Sequence, residues 1–274
     1  MQQEVTDGKE AYIESKMKQF KLVDMRKQYS DLIAEAEMTS LGYMDFLIRL
    51  LSVEEEGKSF RRYEKLLGNA RFESSTTLED IDYSFNDTID NDKIEELGSL
   101  RFLESNENII VIGPPGVGKS MIATGIGRKA CTAGRSVLFV NAKELVDKLH
   151  DEMINGNLPE MLKKLKKIDL LIVDELSYIK MDKERESLFF QIIRQRYEKS
   201  SLIITTNLPM GKWNELFTGQ LAATAILDRL LHHCHVLSIT GDSYRVKGSK
   251  HSVNTRTVAD GSQLSSQQTG GIKC

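Results

Sequence analysis

Residues 113–120 read Gly-Pro-Pro-Gly-Val-Gly-Lys-Ser. A complete G-x-x-x-x-G-K-[ST] octet constrains a chain more than any bulk property does. Gly113, Gly116 and Gly118 let the backbone curl with its N–H groups inward, and the positive end of a following helix completes a cradle for a polyphosphate. The flanks suit that reading. Ile109-Ile110-Val111-Ile112 is an aliphatic run typical of a strand covered on both faces, and Met121–Ala133 carries helix formers up to Gly134. The expected nucleotide contacts are Gly113, Pro114, Pro115, Gly116, Val117, Gly118, Lys119, Ser120 and Met121. Lys119 would reach the β and γ phosphates, and the Ser120 hydroxyl would hold Mg²⁺.

Around this loop the chain alternates strands and helices. Strands are expected at Asn108–Ile112, Val137–Val140, Asp169–Val173, Leu202–Thr205 and Val236–Ile239. Helices are expected at Asp90–Leu103, Lys143–Met153, Leu158–Lys166, Glu184–Lys199 and Leu221–His232. Such alternation predicts a three-layer α/β fold with a parallel, doubly wound sheet and its ligand at the carboxyl ends of the strands. Before it, residues 8 to 72 lack proline and carry apolar positions at helical spacing, among them Tyr43, Phe46, Leu47, Leu50 and Leu51. They predict a small all-helical unit of three helices, the last one long. The expected organisation is a helical domain over 1–73, a connector over 74–107, the nucleotide-binding domain over 108–250, and a disordered polar tail over 251–274.

Composition removes several other classes. A net charge of −3 over 274 residues gives no global case for nucleic acid, so such a case must rest on local patches. The three cysteines, Cys131, Cys234 and Cys274, lack C-x-x-C spacing and suggest reduced thiols in a cytoplasmic protein. No run approaches the ~18 apolar residues a membrane helix needs. His232-His233-Cys234-His235 has no second cluster at ligand spacing, and on a strand its side chains would alternate faces, which argues against a metal site.

Two further elements follow the octet in order. Leu170-Leu171-Ile172-Val173 runs into Asp174-Glu175, two acids at the end of a strand lying beside the phosphate loop. Asp174 would position Mg²⁺ and Glu175 would polarise an attacking water, a pairing common in hydrolytic ATPases. Thr205-Thr206-Asn207 ends the next strand, and Asn207 would sit between the γ phosphate and that water. Downstream, Arg229 lies on a helix. It is a candidate to stabilise phosphoryl charge in a neighbouring subunit, a contribution worth ~10³ or more in rate; a local pair with Asp228 or plain solvent exposure is the alternative.

With these residues in hand, the chain resembles the IstB-like transposition ATPases, relatives of the DnaC-type helicase loaders in the AAA+ group. The match covers residues ~8 to 250. It includes Thr77-Leu78-Glu79-Asp80, the phosphate loop, Leu170 to Leu176, Arg196-Tyr197-Glu198 and Ile203 to Asn207. It continues through Trp213, Asp228-Arg229-Leu230, His232-His233 and Ser243-Tyr244-Arg245. The resemblance implies a P-loop AAA+ ATPase that uses ATP and Mg²⁺, binds duplex DNA with little sequence preference and assembles on it as a homo-oligomer. It implies an integrase-type transposase as partner, or a replicative helicase in the alternative reading. It also implies that Arg229 is a trans arginine finger and that Arg245 senses bound nucleotide. A nucleotide-gated DNA-binding scaffold with little turnover is a third reading. One position departs from the group: Ser177 stands where glycine is frequent. Only 43 residues run from Leu208 to Lys250, too few for the usual four-helix lid.

Candidate DNA contacts are Arg61, Arg62, Lys65 and Arg71 near the end of the long N-terminal helix, with Lys143 and Lys148 after the second strand. The bland reading of the first group is a solvated face paired with Glu54, Glu55, Glu56 and Glu64; the resemblance favours phosphate contact. Few aromatics accompany these residues, so duplex phosphates fit better than stacked single-strand bases.

Overall fold

The computed structural model describes residues 2–83, 86, 88–178, 181–241 and 243–244. Arg245 and the tail over 251–274 lie outside the described residues.

Five short strands form one parallel sheet in the order β2-β3-β4-β1-β5: β1 Asn108–Ile112, β2 Val137–Asn141, β3 Leu170–Asp174, β4 Ser201–Thr206 and β5 Cys234–Ser238. Alternate residues of each strand feed opposite layers, as a period of two requires. Ile110, Leu171, Val173, Leu202 and Ile204 face one core, and Ile109, Val111, Leu170, Ile172 and Ile203 face the other. The first core is closed by α7 Ala142–Ile154, α8 Leu158–Lys166, α9 Lys183–Arg196 and α10 Gln220–Leu231. The second is closed by α4 Asn91–Gly98, α5 Arg101–Glu104 and α6 Lys119–Thr132. This is the three-layer doubly wound architecture expected. Among the described residues no helical lid follows β5, and no helix is long and apolar enough to cross a membrane.

Two expected helices end differently. Asp90–Leu103 is two helices, because Leu100 adopts a left-handed conformation (φ 64°) and turns Phe102 and Leu103 into the core. The helix expected through Lys199 stops at Arg196. There the buried guanidinium donates to the carbonyls of Leu165 (2.8 Å), Asp169 (3.2 Å) and Ser201 (2.8 Å), and Glu198 (φ 57°) reverses the chain into β4. Burial pushes the Arg196 pKa down to about 10, partly offset by Asp169. The last strand begins at Cys234, two residues before its expected start, in register with Asn108 of β1, so His232 and His233 precede the strand.

The N-terminal helices are α1 Gln2–Gln19, α2 Val23–Thr39 and α3 Tyr43–Ala70. Helix α3 contributes to two packing units. Its middle part faces α2, where Gly57 permits close approach: a Cβ there would lie 1.9 Å from Asp24 Oδ2. Its last turns place Tyr63, Leu66, Leu67 and Ala70 against the second core, followed by Phe72, whose ring lies 6.2 Å from that of Phe139. Arg62 ties the same end down by donating to the Gly134 carbonyl (2.8 Å).

Helix α2 starts at Leu22 without a side-chain cap. The missing acceptor comes from α3: buried Glu54 takes the backbone N–H groups of Asp24 (2.9 Å) and Met25 (3.1 Å). Burial pushes its carboxyl up, but the Met25 and Asp24 donors and the Lys58 charge outweigh this and hold it below the ordinary glutamate range. A lowered native pKa stabilises the fold fully above the unfolded value and is lost as pH falls through the native one. Glu54→Ala should therefore cost about 1–3 kcal/mol at neutral pH, and the deficit should shrink in acid as the parent loses the part that depends on its carboxylate charge. Hydrogen exchange at Asp24 and Met25 reads this directly, and unchanged protection there would refute it.

Candidate functional site

The phosphate loop leaves the carboxyl end of β1 and enters α6 with Gly116 (φ 82°) and Gly118 (φ 98°) in conformations that favour glycine. Close approach requires glycine at Gly113 and adds a second reason for it at Gly116. A Cβ on Gly113 would fall 2.4 Å from the Ile239 carbonyl oxygen, and one on Gly116 would fall 2.1 Å from Ser243 Oγ. The segment after β5 therefore lies against the loop, with Ile239 N–H donating to Ile112 (2.7 Å) and Tyr244 N–H to Gly116 (2.9 Å).

A cleft of about 130 Å³ opens over the loop, lined by Pro115, Gly116, Gly118, Lys119, Ser120 and Met121. Its far wall is Glu175, Ser177, Thr206, Asn207 and Tyr244. Of the expected nucleotide contacts, Val117 turns its side chain into the second core. The Pro114 carbonyl accepts from Lys119 Nζ (2.8 Å). Three elements that are distant in sequence, the octet, Glu175 and Asn207, thus share one cleft.

Ser120 Oγ lies 2.9 Å from both carboxylate oxygens of buried Asp174. Neighbouring oxygens of an octahedral Mg²⁺ shell with ~2.05 Å bonds stand about 2.9 Å apart, so this pair of hard donors fits that ion. Thr205, fully buried, joins the two acids: its hydroxyl donates to Asp174 Oδ1 and accepts from the Glu175 N–H (2.9 Å). Glu175 itself is held at φ 59°, a left-handed conformation that costs a non-glycine residue on the order of 1–3 kcal/mol and clusters at functional sites. Ser177, where glycine is frequent in the family it resembles, accepts from the Asn207 N–H (3.2 Å) and so ties the β3 turn to the β4 turn.

Asn141 was absent from the expected site residues. It ends β2, and its side chain donates to Glu175 Oε2 (3.2 Å) while accepting from the Lys143 N–H (2.9 Å). The glutamate that would aim a water is therefore held sideways by the residue that caps α7. Its strand-end position followed by a helix was the available signal. The partner lies 34 residues away and carries no motif linking the two.

Arg229 stands elsewhere. Leu230 beside it accepts from Asn108 Nδ2 (3.2 Å) at the amino end of β1, roughly 16 Å of strand from the phosphate loop. Among the described residues it forms no ion pair with Asp228. It donates to the Ala225 carbonyl (2.9 Å) and lies over the rings of Phe190 (5.2 Å) and Tyr197 (6.0 Å).

The candidate DNA contacts divide. Arg61 pairs with Asp24 and with Glu54 (3.4 Å), and Arg62 holds Gly134, so both have intramolecular partners. Lys65 and Lys143 are exposed. Arg71 and Lys148 meet with Lys164 in a groove of about 820 Å³ between the end of α3 and the α7–α8 pair, with Glu152 and Glu160 also on its wall. Near Arg229, exposed Glu198, His232 and His233 bring potential ligand atoms within 4.8 Å of one another. His232 Nδ1 is hydrogen-bonded to the Tyr197 hydroxyl (2.9 Å).

Comparison with known proteins accords with this geometry. The sequence pattern of the family described as IstB-like ATP binding protein matches residues 15–252. An insertion sequence IS21 putative ATP-binding protein of Pseudomonas aeruginosa is 37% identical over 260 residues, 93% of this chain and 98% of the relative. An insertion sequence IS232 putative ATP-binding protein of Bacillus thuringiensis subsp. berliner is 37% identical over 227 residues, 83% of this chain and 91% of the relative. Among solved structures, AMPPCP-bound DnaA from Aquifex aeolicus shares the fold at a TM-score of 0.51 and 18% identity, covering 70% of this chain and 58% of DnaA. The parallel sheet is of the fold shared with DnaA, it carries the phosphate loop, and with the family pattern spanning nearly all of the described residues, the chain belongs to the IstB-like ATP-binding proteins.

Proposed function

We propose that this protein is a Mg²⁺-dependent, DNA-stimulated ATPase that assembles as a homo-oligomer on duplex DNA and assists an integrase-type transposase in moving an insertion sequence. The observation that carries the reading is the division of the site: Lys119, Ser120, Glu175 and Asn207 line one cleft, with Asp174 buried against Ser120, whereas Arg229 lies at the opposite end of the sheet. A subunit so arranged holds its own phosphates but offers its arginine outward. In this reading Lys119 binds the β and γ phosphates, Ser120 and Asp174 hold Mg²⁺, and Asn207 reports the γ phosphate. Bound Mg²⁺ would neutralise charge on the phosphates. Glu175 accepts a proton from the attacking water, and Arg229 of a neighbour stabilises the leaving charge. Arg245 contributes to nucleotide sensing, and the N-terminal helices with the Arg71–Lys148 groove contact DNA. The relatives' names support the insertion-sequence context.

The test is ATP turnover with and without duplex DNA, together with retention of a purified transposase or a replicative hexameric helicase on the ATP-bound protein. Stimulated turnover and retained transposase are expected. Retention of the helicase alone would favour a loader, and near-zero turnover under both conditions would favour an ATP-gated scaffold.

The Asn141 bond gives this site a resting state. Asn141→Ala removes a hydrogen bond to the Glu175 carboxylate, a charge-assisted bond worth about 1.5–3 kcal/mol, so DNA-free turnover should rise at least severalfold and stimulation by DNA should shrink. If the variant's DNA-free rate equals the parent's, the restraint has no kinetic role.

A further inference from the structure

Three short sequence motifs that the nucleotide site leaves unused, Arg196-Tyr197-Glu198, Asp228-Arg229-Leu230 and His232-His233, converge in space. Helix α10 brings Arg229 beside α9, where its guanidinium lies over Phe190 and Tyr197. The Tyr197 hydroxyl is hydrogen-bonded to His232 Nδ1 at 2.9 Å, with the two rings 5.9 Å apart. His232 is flanked by His233, ring to ring at 4.1 Å, and by Glu198 at 3.9 Å. Arg196 fixes the base of this arrangement through its three carbonyl contacts, so Tyr197 follows an immobile residue.

We propose that Tyr197 and His232, with Phe190, form a cradle that positions Arg229 for use in the neighbouring subunit. The inference rests on the trans role of Arg229 and adds to it the residues that hold the side chain in place. Aromatic faces suit this task. They attract a guanidinium through the ring quadrupole without neutralising its charge, whereas a carboxylate partner would have to be displaced each time the arginine met a phosphate. Among the described residues no carboxylate forms an ion pair with Arg229; its one hydrogen bond is to the Ala225 carbonyl of its own helix. The Tyr197–His232 bond then sets the plane of the ring on which the guanidinium rests. Tyr197 and His232 are positioning residues, since neither faces the phosphate cleft.

The experiment compares Tyr197→Ala, Tyr197→Phe and His232→Ala with the parent in the full chain, on duplex DNA. Tyr197→Ala should bind ATP with the parent's affinity and KM while kcat falls about tenfold. Tyr197→Phe, which keeps the ring, should lose much less, and His232→Ala should resemble Tyr197→Phe. Mixing supplies the decisive readout. Glu175→Gln subunits have a disabled site of their own but an intact cradle, so in mixed oligomers they should restore turnover to Tyr197→Ala subunits, whose own phosphate cleft is untouched. Loss of activity without restoration would mean that Tyr197 supports its own subunit's site, and would overturn the cradle. So would parent-like kcat in Tyr197→Ala while Arg229→Ala is inactive. Parent-like turnover in Arg229→Ala would instead remove the trans arginine itself, and the cradle with it.

Discussion

Glu175→Gln should bind ATP as the parent does and turn it over about 10²- to 10⁴-fold more slowly, the usual range for loss of a positioned general base. The expectation comes from what the carboxylate does and does not touch. In the proposed assignment Asp174 and Ser120 hold Mg²⁺ and Lys119 meets the phosphates, so nucleotide affinity should not pass through Glu175. Glutamine is close in shape and keeps an oxygen that can accept from Asn141. It also keeps the backbone N–H that donates to Thr205, so the turn at φ 59° should survive. What it lacks is a basic carboxylate. Stopped-flow binding of a fluorescent ATP analogue and steady-state phosphate release separate the two quantities. Parent-like phosphate release from Glu175→Gln would remove Glu175 from the chemistry and leave Asp174 or a residue outside the cleft as the base.

Lys119→Ala should lose nucleotide binding, and with it every nucleotide-dependent assembly. A hydrogen bond to a charged group contributes about 1.5–3 kcal/mol, which is roughly 10- to 100-fold in ATP affinity before any contribution from the loop's own shape. That second contribution is real here, because Lys119 Nζ also donates to the Pro114 carbonyl and so helps close the loop on itself. Lys119→Met keeps the length of the chain and removes the charge; it should fall as far as alanine if charge dominates. An alanine variant that still assembles on DNA in an ATP-dependent manner would show that the main-chain N–H groups alone hold the triphosphate.

How much of this was legible in the sequence depended on distance along the chain. The octet, the apolar run before it and the helix after it are contiguous, and they appear in the structure where periodicity put them. Asp174-Glu175 and Asn207 end strands of a parallel sheet, and such sheets bring their carboxyl ends together by construction. The features that escaped are contacts between segments that carry no pattern of their own. Glu54 looked like one of several solvated acids on a charged helix, yet it caps another helix 30 residues away. The sequence offered either pairing with the nearby glutamates or phosphate contact for Arg61 and Arg62; Arg61 does pair with Glu54, but the other partners, Asp24 and Gly134, are remote and carry no pattern. The early end of α9 was invisible for a related reason. Helix propensity runs on to Lys199, and only the carbonyls of Leu165, Asp169 and Ser201 explain why Arg196 stops it.

Helix α3 is unbroken over 28 residues, about 42 Å at 1.5 Å per residue, and only its last turns are fastened, through Arg62 and Tyr63 to Ala70, against the layer that carries the phosphate loop. A rod held at one end has no elbow. Any tilt of that layer during a nucleotide cycle would be delivered, enlarged by the leverage of the rod, to whatever α1 and α2 grip.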